Sequence, residues 1–165
     1  MYSKKIFKKI NNFSKSLAQA RKKNLLIKPL PISICRDPNL VKQVLSFAEA
    51  KLNWHPIGFK IGATNKAIMK ILKAKEPFYS YLYREQTFNN NKKLTLTPKT
   101  FGIELEIAYK ISKKIFNIKI SKKKQLKSYI HGIAPAIELV GCRQKLDKID
   151  YVGQAAVDFG LNISF

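Results

Sequence analysis

The chain has 165 residues, 45% of them hydrophobic, and its 32 Lys and Arg against 10 Asp and Glu give a formal charge of +22. A chain of that length suits one domain, or one with a small appendage, and buries roughly 70% of its unfolded surface, which excludes general disorder. No run approaches the roughly 18 apolar residues of a membrane span, and the charged N-terminus is not followed by an apolar segment with a small-residue cleavage site, so a soluble, cytoplasmic protein is expected.

In chain order, Ile6, Ile10, Phe13, Leu17 and Ala20 recur at helical spacing inside residues 1–36, which hold ten Lys and Arg and no acid. The basic amphipathic helix they predict packs its stripe on the domain, in preference to an anionic membrane or a targeting role. Lys28-Pro-Leu-Pro-Ile reads as an extended connection, and Asp37-Pro38 as an N-cap with proline at the first helical position, opening a helix through about Lys51. Ile57-Gly-Phe-Lys-Ile-Gly is a short strand bounded by glycines. Asn65 to Lys75 returns to helical spacing and is ended by Pro77. Asn89 to Lys93 is a turn into a strand at Leu94-Thr-Leu-Thr, and Phe101 to Ile111 is a further strand. Lys110 to Lys127 carries eight Lys and no acid, the composition of a solvated loop and helix face. Ser121 caps a helix to about Ile130, Pro135 breaks it, and extended runs follow at Ile137–Val140 and Val157–Phe165.

Of the 32 basic residues 28 are Lys and only Arg21, Arg36, Arg84 and Arg143 are Arg, while 20 Ile and 11 Asn accompany them. Nucleic-acid recognition favours the planar guanidinium, so A/T-rich codon usage explains much of the charge. A non-catalytic basic protein that binds nucleic acid or an acidic partner is the rival from a different class. Cys35 and Cys142 lie far apart outside any C-x-x-C pair, which indicates neither a disulfide framework nor a zinc site, and a reducing compartment is the default. Trp54 reads as a core or boundary residue, and neither His55 nor His131 has a partner at metal or triad spacing.

Acids are scarce, so their positions carry information. In Ile103-Glu-Leu-Glu-Ile-Ala the period of a strand sends Glu104 and Glu106 to one face. An amphipathic strand with a wet face explains that spacing by itself. Two neighbouring like charges are costly, however, and a bound cation is the alternative. Glu138 stands in the apolar run Pro135-Ala-Ile-Glu-Leu-Val, where a lone carboxylate is expensive unless paired or coordinated. Three converging carboxylates favour Mg2+ or Mn2+ over zinc. Lys60 reads as a snorkelling strand lysine or as an ammonium given access to a ligand between Gly58 and Gly62. Asp158, beside Phe159-Gly160, reads first as a turn residue and second as a polar member of the same site, and it joins Lys60 as a catalytic candidate. No G-x-S-x-G, H-E-x-x-H, Walker loop or G-x-G-x-x-G occurs, so serine hydrolases, zincins, NTPases and dinucleotide enzymes lack support.

Ile57-Gly-Phe-Lys-Ile-Gly-Ala-Thr, Glu76-Pro-Phe-Tyr, Gly102-Ile-Glu-Leu-Glu-Ile-Ala-Tyr, Ala134-Pro-Ala-Ile-Glu-Leu-Val-Gly-Cys-Arg and Val157-Asp-Phe-Gly, in that order, resemble 2-keto-4-pentenoate hydratases. These belong, with the oxalocrotonate decarboxylases, to the fumarylacetoacetate hydrolase superfamily. The resemblance implies an α+β fold, a mixed β-roll surrounded by helices, with a helical N-terminal region at 1–55 and a partial hydratase-like domain at 56–165. It places the metal carboxylates on Glu104, Glu106 and Glu138 and the active-site lysine on Lys60. The third ligand being Glu resembles the hydratase and decarboxylase branch more than the acylpyruvate hydrolases. The implied reaction is metal-dependent hydration of a 2-oxo-4-enoic acid to a 4-hydroxy-2-oxo acid, with acylpyruvate-type hydrolysis or 2-oxo acid decarboxylation as alternatives. Ser80 stands where relatives tend to have glycine. Relatives also continue past the position of Phe165 through strands that complete the roll. An incomplete, C-terminally truncated roll with an unpaired last edge and exposed apolar surface is therefore expected, its activity in question, with a second copy or a complementing chain as partner beside a small 2-oxo acid.

Overall fold

The computed structural model describes residues 3–89, 91–94, 96, 100–117 and 126–165. Helix α1 (Lys4–Lys23) begins where the Ser3 side chain accepts from the Ile6 amide and ends on Asn24 in the left-handed region. The predicted stripe is packed, with Ile10, Leu17 and Ala20 fully buried against α3 (Pro38–Leu52). Asp37 caps α3 as expected, accepting from the amides of Asn39 and Leu40. Residues 28–31 form no helix, as the proline spacing predicts, and a one-turn helix, α2 (Ile32–Cys35), follows them. There Ile27 forms a parallel bridge with Gln144.

Strand β1 (Pro56–Gly62) pairs antiparallel with β2 (Phe78–Tyr83), and α4 (Lys66–Ile71), capped by Asn65, lies between them. Helix α4 stops well before Pro77, so the proline precedes β2 rather than terminating the helix. Strand β3 (Thr100–Ile111) pairs antiparallel with β4 (Ile130–Gly141), which pairs in turn with β5 (Asn162–Ser164). Helix α5 (Val152–Val157) and a 3-10 turn at Phe159–Leu161 precede β5. The described residues thus form five helices and two small antiparallel sheets. No helix among them is long and apolar enough to cross a membrane.

Three expectations are corrected. Pro135 breaks nothing: it lies inside β4 opposite Ile107, where β5 does not reach, so the missing donor is tolerated on a strand paired along one edge. The helix expected to reach Ile130 gives way to β4 at that residue, and its start at Ser121 lies outside the described residues, as do Thr95 and Thr97 of the strand expected at 94–97. The apolar run 157–165 is mostly turn, and its end is paired: Phe88 N donates to Phe165 O at 2.8 Å and Phe165 N to Gln86 O at 2.8 Å.

The expected bare apolar surface exists elsewhere. Ile103, Leu105, Ile107 and Tyr109 of β3 lie opposite Leu139, Ile137, Pro135 and Ile133 of β4, and Leu105 is 85% and Ile133 67% exposed. The outer face of the first hairpin, with Ile57, Phe59, Ile61 and Tyr79, is exposed as well. Both hairpins therefore turn apolar faces outward, and Lys60 on the other face of the first reaches Glu138 of the second. The main core lies among the helices, where Leu17, Val44, Ala48, Leu52, Val157 and Phe159 are essentially inaccessible. It joins α1 and α3 to Tyr83 of β2 and to the end of α5, so it draws on both sides of residue 55. Leu17→Ala should accordingly lower unfolding stability by about 2–5 kcal/mol, whereas Leu105→Ala should change it by under about 0.5 kcal/mol, as read by urea denaturation.

Candidate metal centre

Antiparallel register places Glu104 directly opposite Glu138, and Glu106 follows two residues on, on the same face. One carboxylate oxygen from each of the three falls within 4.8 Å of the others. The exposures are graded: Glu104 is exposed, Glu106 is half-buried and Glu138 is fully buried.

Strand β1 delivers the counter-charge. Lys60 pairs with Ser80 in register, so its side chain leaves the face turned toward the second sheet, and its ammonium donates to Glu138 Oε1 at 2.6 Å and to the Gly160 carbonyl at 3.1 Å. Only 9% of that side chain is exposed, so it does not snorkel to solvent. The Gly160 carbonyl is presented by an unusual turn in which Phe159, Gly160 and Leu161 all have positive φ, at 53°, 67° and 64°. A Cβ at Gly160 would stand 3.0 Å from that of Ser80, so glycine is required both for its φ and for the approach of β2. Left-handed conformations at Phe159 and Leu161 cost free energy that the surrounding packing must supply.

Glu138 Oε1 also accepts from Asn162 Nδ2 at 3.0 Å. Oε2 has no hydrogen-bond partner among the described residues although it is buried. Desolvation raises the carboxyl above its ordinary range, against the opposing pull of Lys60 and Asn162, and Glu104 raises it further by like-charge repulsion. A buried carboxylate oxygen left without a donor is the feature a cation would satisfy. Three carboxylates with no histidine or thiolate among them form a hard-oxygen donor set, which fits Mg2+ or Mn2+.

Asp158 lies apart from this cluster. Its Oδ1 accepts from Arg143 Nη1 at 3.0 Å, and its Oδ2 accepts from the Arg143 amide and from Cys142 Sγ. It is a turn residue, as one reading of the sequence has it, but fully buried, and neither hydrogen bond of the Lys60 ammonium goes to it. Burial and the Asp158 charge push the Cys142 thiol far up, and burial pushes Cys35 to about 11, so neither free cysteine has the lowered pKa of a reactive thiolate. Sequence reading passed over Arg21, Arg143 and Asn162, which are buried beside the site. A signal was present for two of them: in a chain with 28 Lys, an Arg at a given position marks a place where the guanidinium fork matters.

Two facing hairpins bearing three carboxylates and a lysine define a candidate divalent-metal site, and known structures with this fold exist. A 4-oxalocrotonate decarboxylase from Pseudomonas putida G7, complexed with magnesium and adipate, superposes with a TM-score of 0.71 at 14% identity, over 95% of this chain and 61% of that one. The same enzyme complexed with calcium and acetate gives 0.69 at 12% identity, over 95% and 60%. This chain therefore has the fold of about three fifths of those chains. No family model and no curated protein matches the sequence.

Proposed function

We propose that the protein is a divalent-metal-dependent enzyme acting on a small 2-oxo acid, in the manner of the fumarylacetoacetate hydrolase superfamily, and that it hydrates a 2-oxo-4-enoic acid to a 4-hydroxy-2-oxo acid. The observation that carries the reading is the convergence of Glu104, Glu106 and Glu138, with the unpartnered Oε2 of Glu138, beside the Lys60 ammonium. Support comes from the solved structures of like fold, whose complexes hold magnesium or calcium. A mixed β-roll is our reading of the architecture to which the two sheets contribute, with 1–55 as its helical N-terminal region and 56–165 as its site-bearing part.

When bound, a Mg2+ or Mn2+ ion would supply Lewis-acid polarisation of the substrate's carboxylate and keto oxygens. Glu104, Glu106 and Glu138 would hold it. Lys60, held in place by Glu138 Oε1 and the Gly160 carbonyl, would carry the proton that moves between C3 and C5. In the net reaction water adds across the C4–C5 double bond, its hydroxyl going to C4 and a proton to C5. Asp158 would act through Arg143 rather than on substrate. Decarboxylation is the second reading, favoured by the activity named for the structures of like fold.

Incubation with 2-oxopent-4-enoate and Mg2+ or Mn2+, followed by proton NMR, should show 4-hydroxy-2-oxopentanoate forming only with the metal. Carbon dioxide released from a 2-oxo-dioic acid, without hydration of the enoate, would select the decarboxylase reading instead. A folded, Mn2+-binding chain that turns over neither acid would overturn both.

A further inference from the structure

Behind Glu138 lies a buried network that reaches the first helix. Asn162 is 1% exposed and each end of its side-chain amide is engaged. Nδ2 donates to Glu138 Oε1 at 3.0 Å and, more weakly, to the Ser164 carbonyl at 3.4 Å, while Oδ1 accepts from Arg21 Nη2 at 3.1 Å. A flipped amide would set an oxygen against the carboxylate and an NH2 against the guanidinium, so the network permits one orientation. The Asn162 main-chain carbonyl accepts from Arg21 Nη1 at 3.2 Å and from Arg143 Nη2 at 2.7 Å. Arg143 is itself fixed by Asp158, and Arg21 lies over the Phe159 ring at 4.4 Å. Three buried cations, Lys60, Arg21 and Arg143, thus surround two buried anions, Glu138 and Asp158.

We infer that Asn162, clamped by Arg21 and Arg143, is a positioning residue for the metal centre: it commits Oε1 of Glu138 to the protein and so leaves Oε2 as the oxygen available to the cation. The inference rests on the reading of Glu104, Glu106 and Glu138 as a cation site. The hydrogen-bonding arithmetic supports it. Lys60 donates to Oε1 and not to Oε2, and Asn162 donates to the same oxygen, so among the described residues two donors converge on one atom and none on the other. A carboxylate held only for structural pairing with a lysine and an amide has four lone-pair sites to share between them. Concentrating both donors on one oxygen prepares a ligand. Glu138 would otherwise rotate and use both oxygens on Lys60 and Asn162. The same clamp explains why α1, more than a hundred residues away in sequence, ends in an arginine aimed inward among neighbouring lysines.

The test is Mn2+ binding to the full chain, followed by water-proton relaxation, with folding checked by thermal melting without metal. Asn162→Ala keeps the main-chain carbonyl that both arginines use and removes only the amide. Its Mn2+ dissociation constant should rise at least about tenfold, with one more exchangeable water on the bound ion as Glu138 is lost as a ligand. Arg21→Met removes the fork on Asn162 and leaves its buried Oδ1 without that donor, so Mn2+ affinity should fall in the same direction as for Asn162→Ala in protein that is still folded at the assay temperature. A purely structural clamp would show stability falling and the affinity of the folded protein unchanged. Wild-type protein that binds no Mn2+ removes the metal reading itself. Wild-type protein that binds, with a folded Asn162→Ala binding equally well, removes this inference alone, and so does failure of both variants to fold.

Discussion

Lys60→Met is expected to destabilise the metal-free protein by about 3–5 kcal/mol and to abolish turnover. The ammonium donates to Glu138 at 2.6 Å in a place where the lysine side chain is 9% and the glutamate 0% exposed. Removing it leaves an uncompensated buried carboxylate with Asn162 as its one remaining donor among the described residues. The pH dependence then has a definite sign. Burial already holds the Glu138 carboxyl above its ordinary value of 4.5, and loss of Lys60 raises it further. Between the unfolded and folded values the native state binds the extra proton, so stability falls as pH rises through that window. The deficit of the variant relative to wild type should therefore be smallest at acidic pH and grow toward neutrality. Urea unfolding at pH 5 and pH 8, followed by Trp54, which lies half-buried against Tyr83 with ring centroids 5.8 Å apart, measures it. A second substitution, Glu138→Gln, in the same chain should recover most of the loss, because no buried charge is then stranded. An equal deficit at both pH values, unrelieved by Glu138→Gln, would mean that the Lys60–Glu138 pair is not what the lysine stabilises.

What the sequence makes legible follows from the range of the interactions involved. Asp37 caps its helix through bonds spanning two and three residues, so a short-range pattern reveals it; Ser3 and Asn65 cap theirs in the same way, though the sequence reading does not mark them as caps. The E-x-E spacing likewise places Glu104 and Glu106 on one face, because strand period is a local property. That Glu138 joins them comes from family resemblance and an argument about burial cost, and the register supplies the geometry; that Lys60 pairs with Glu138 across 78 residues is not foreseen from the sequence. Pro135 misled because its effect depends on whether a neighbour claims the missing donor, and strand order is nowhere in the local sequence. Asp158 is half legible. It stands in a turn with Phe159 and Gly160, as their sequence suggests, but its buried partner, Arg143, is 15 residues away. Asn162 had no signal at all, since its meaning lies in Arg21, 141 residues distant.

The Glu106→Gln variant separates metal binding from folding more cleanly than any other change at the site. Glu106 is half-buried and lies in one cluster with two other carboxylates, so without metal its charge repels Glu104 and Glu138. Glutamine has nearly the same shape and removes that repulsion. The metal-free variant should therefore be at least as stable as wild type. Adding Mn2+ at about a hundred times its dissociation constant should raise wild-type stability by roughly 2.7 kcal/mol, because the ion binds only where the fold brings the three carboxylates together. The variant should gain almost nothing at the same concentration, and turnover should be lost with it. A residue whose removal is harmless or favourable to folding, yet eliminates the response to a ligand, is retained for the ligand. A wild-type urea transition that Mn2+ leaves in place would instead make the three carboxylates an acidic patch with Lys60 beside it, and would withdraw the metal from the proposed reaction. Retained turnover in Mn2+-loaded Glu106→Gln would leave the metal in place but strike Glu106 from its ligands.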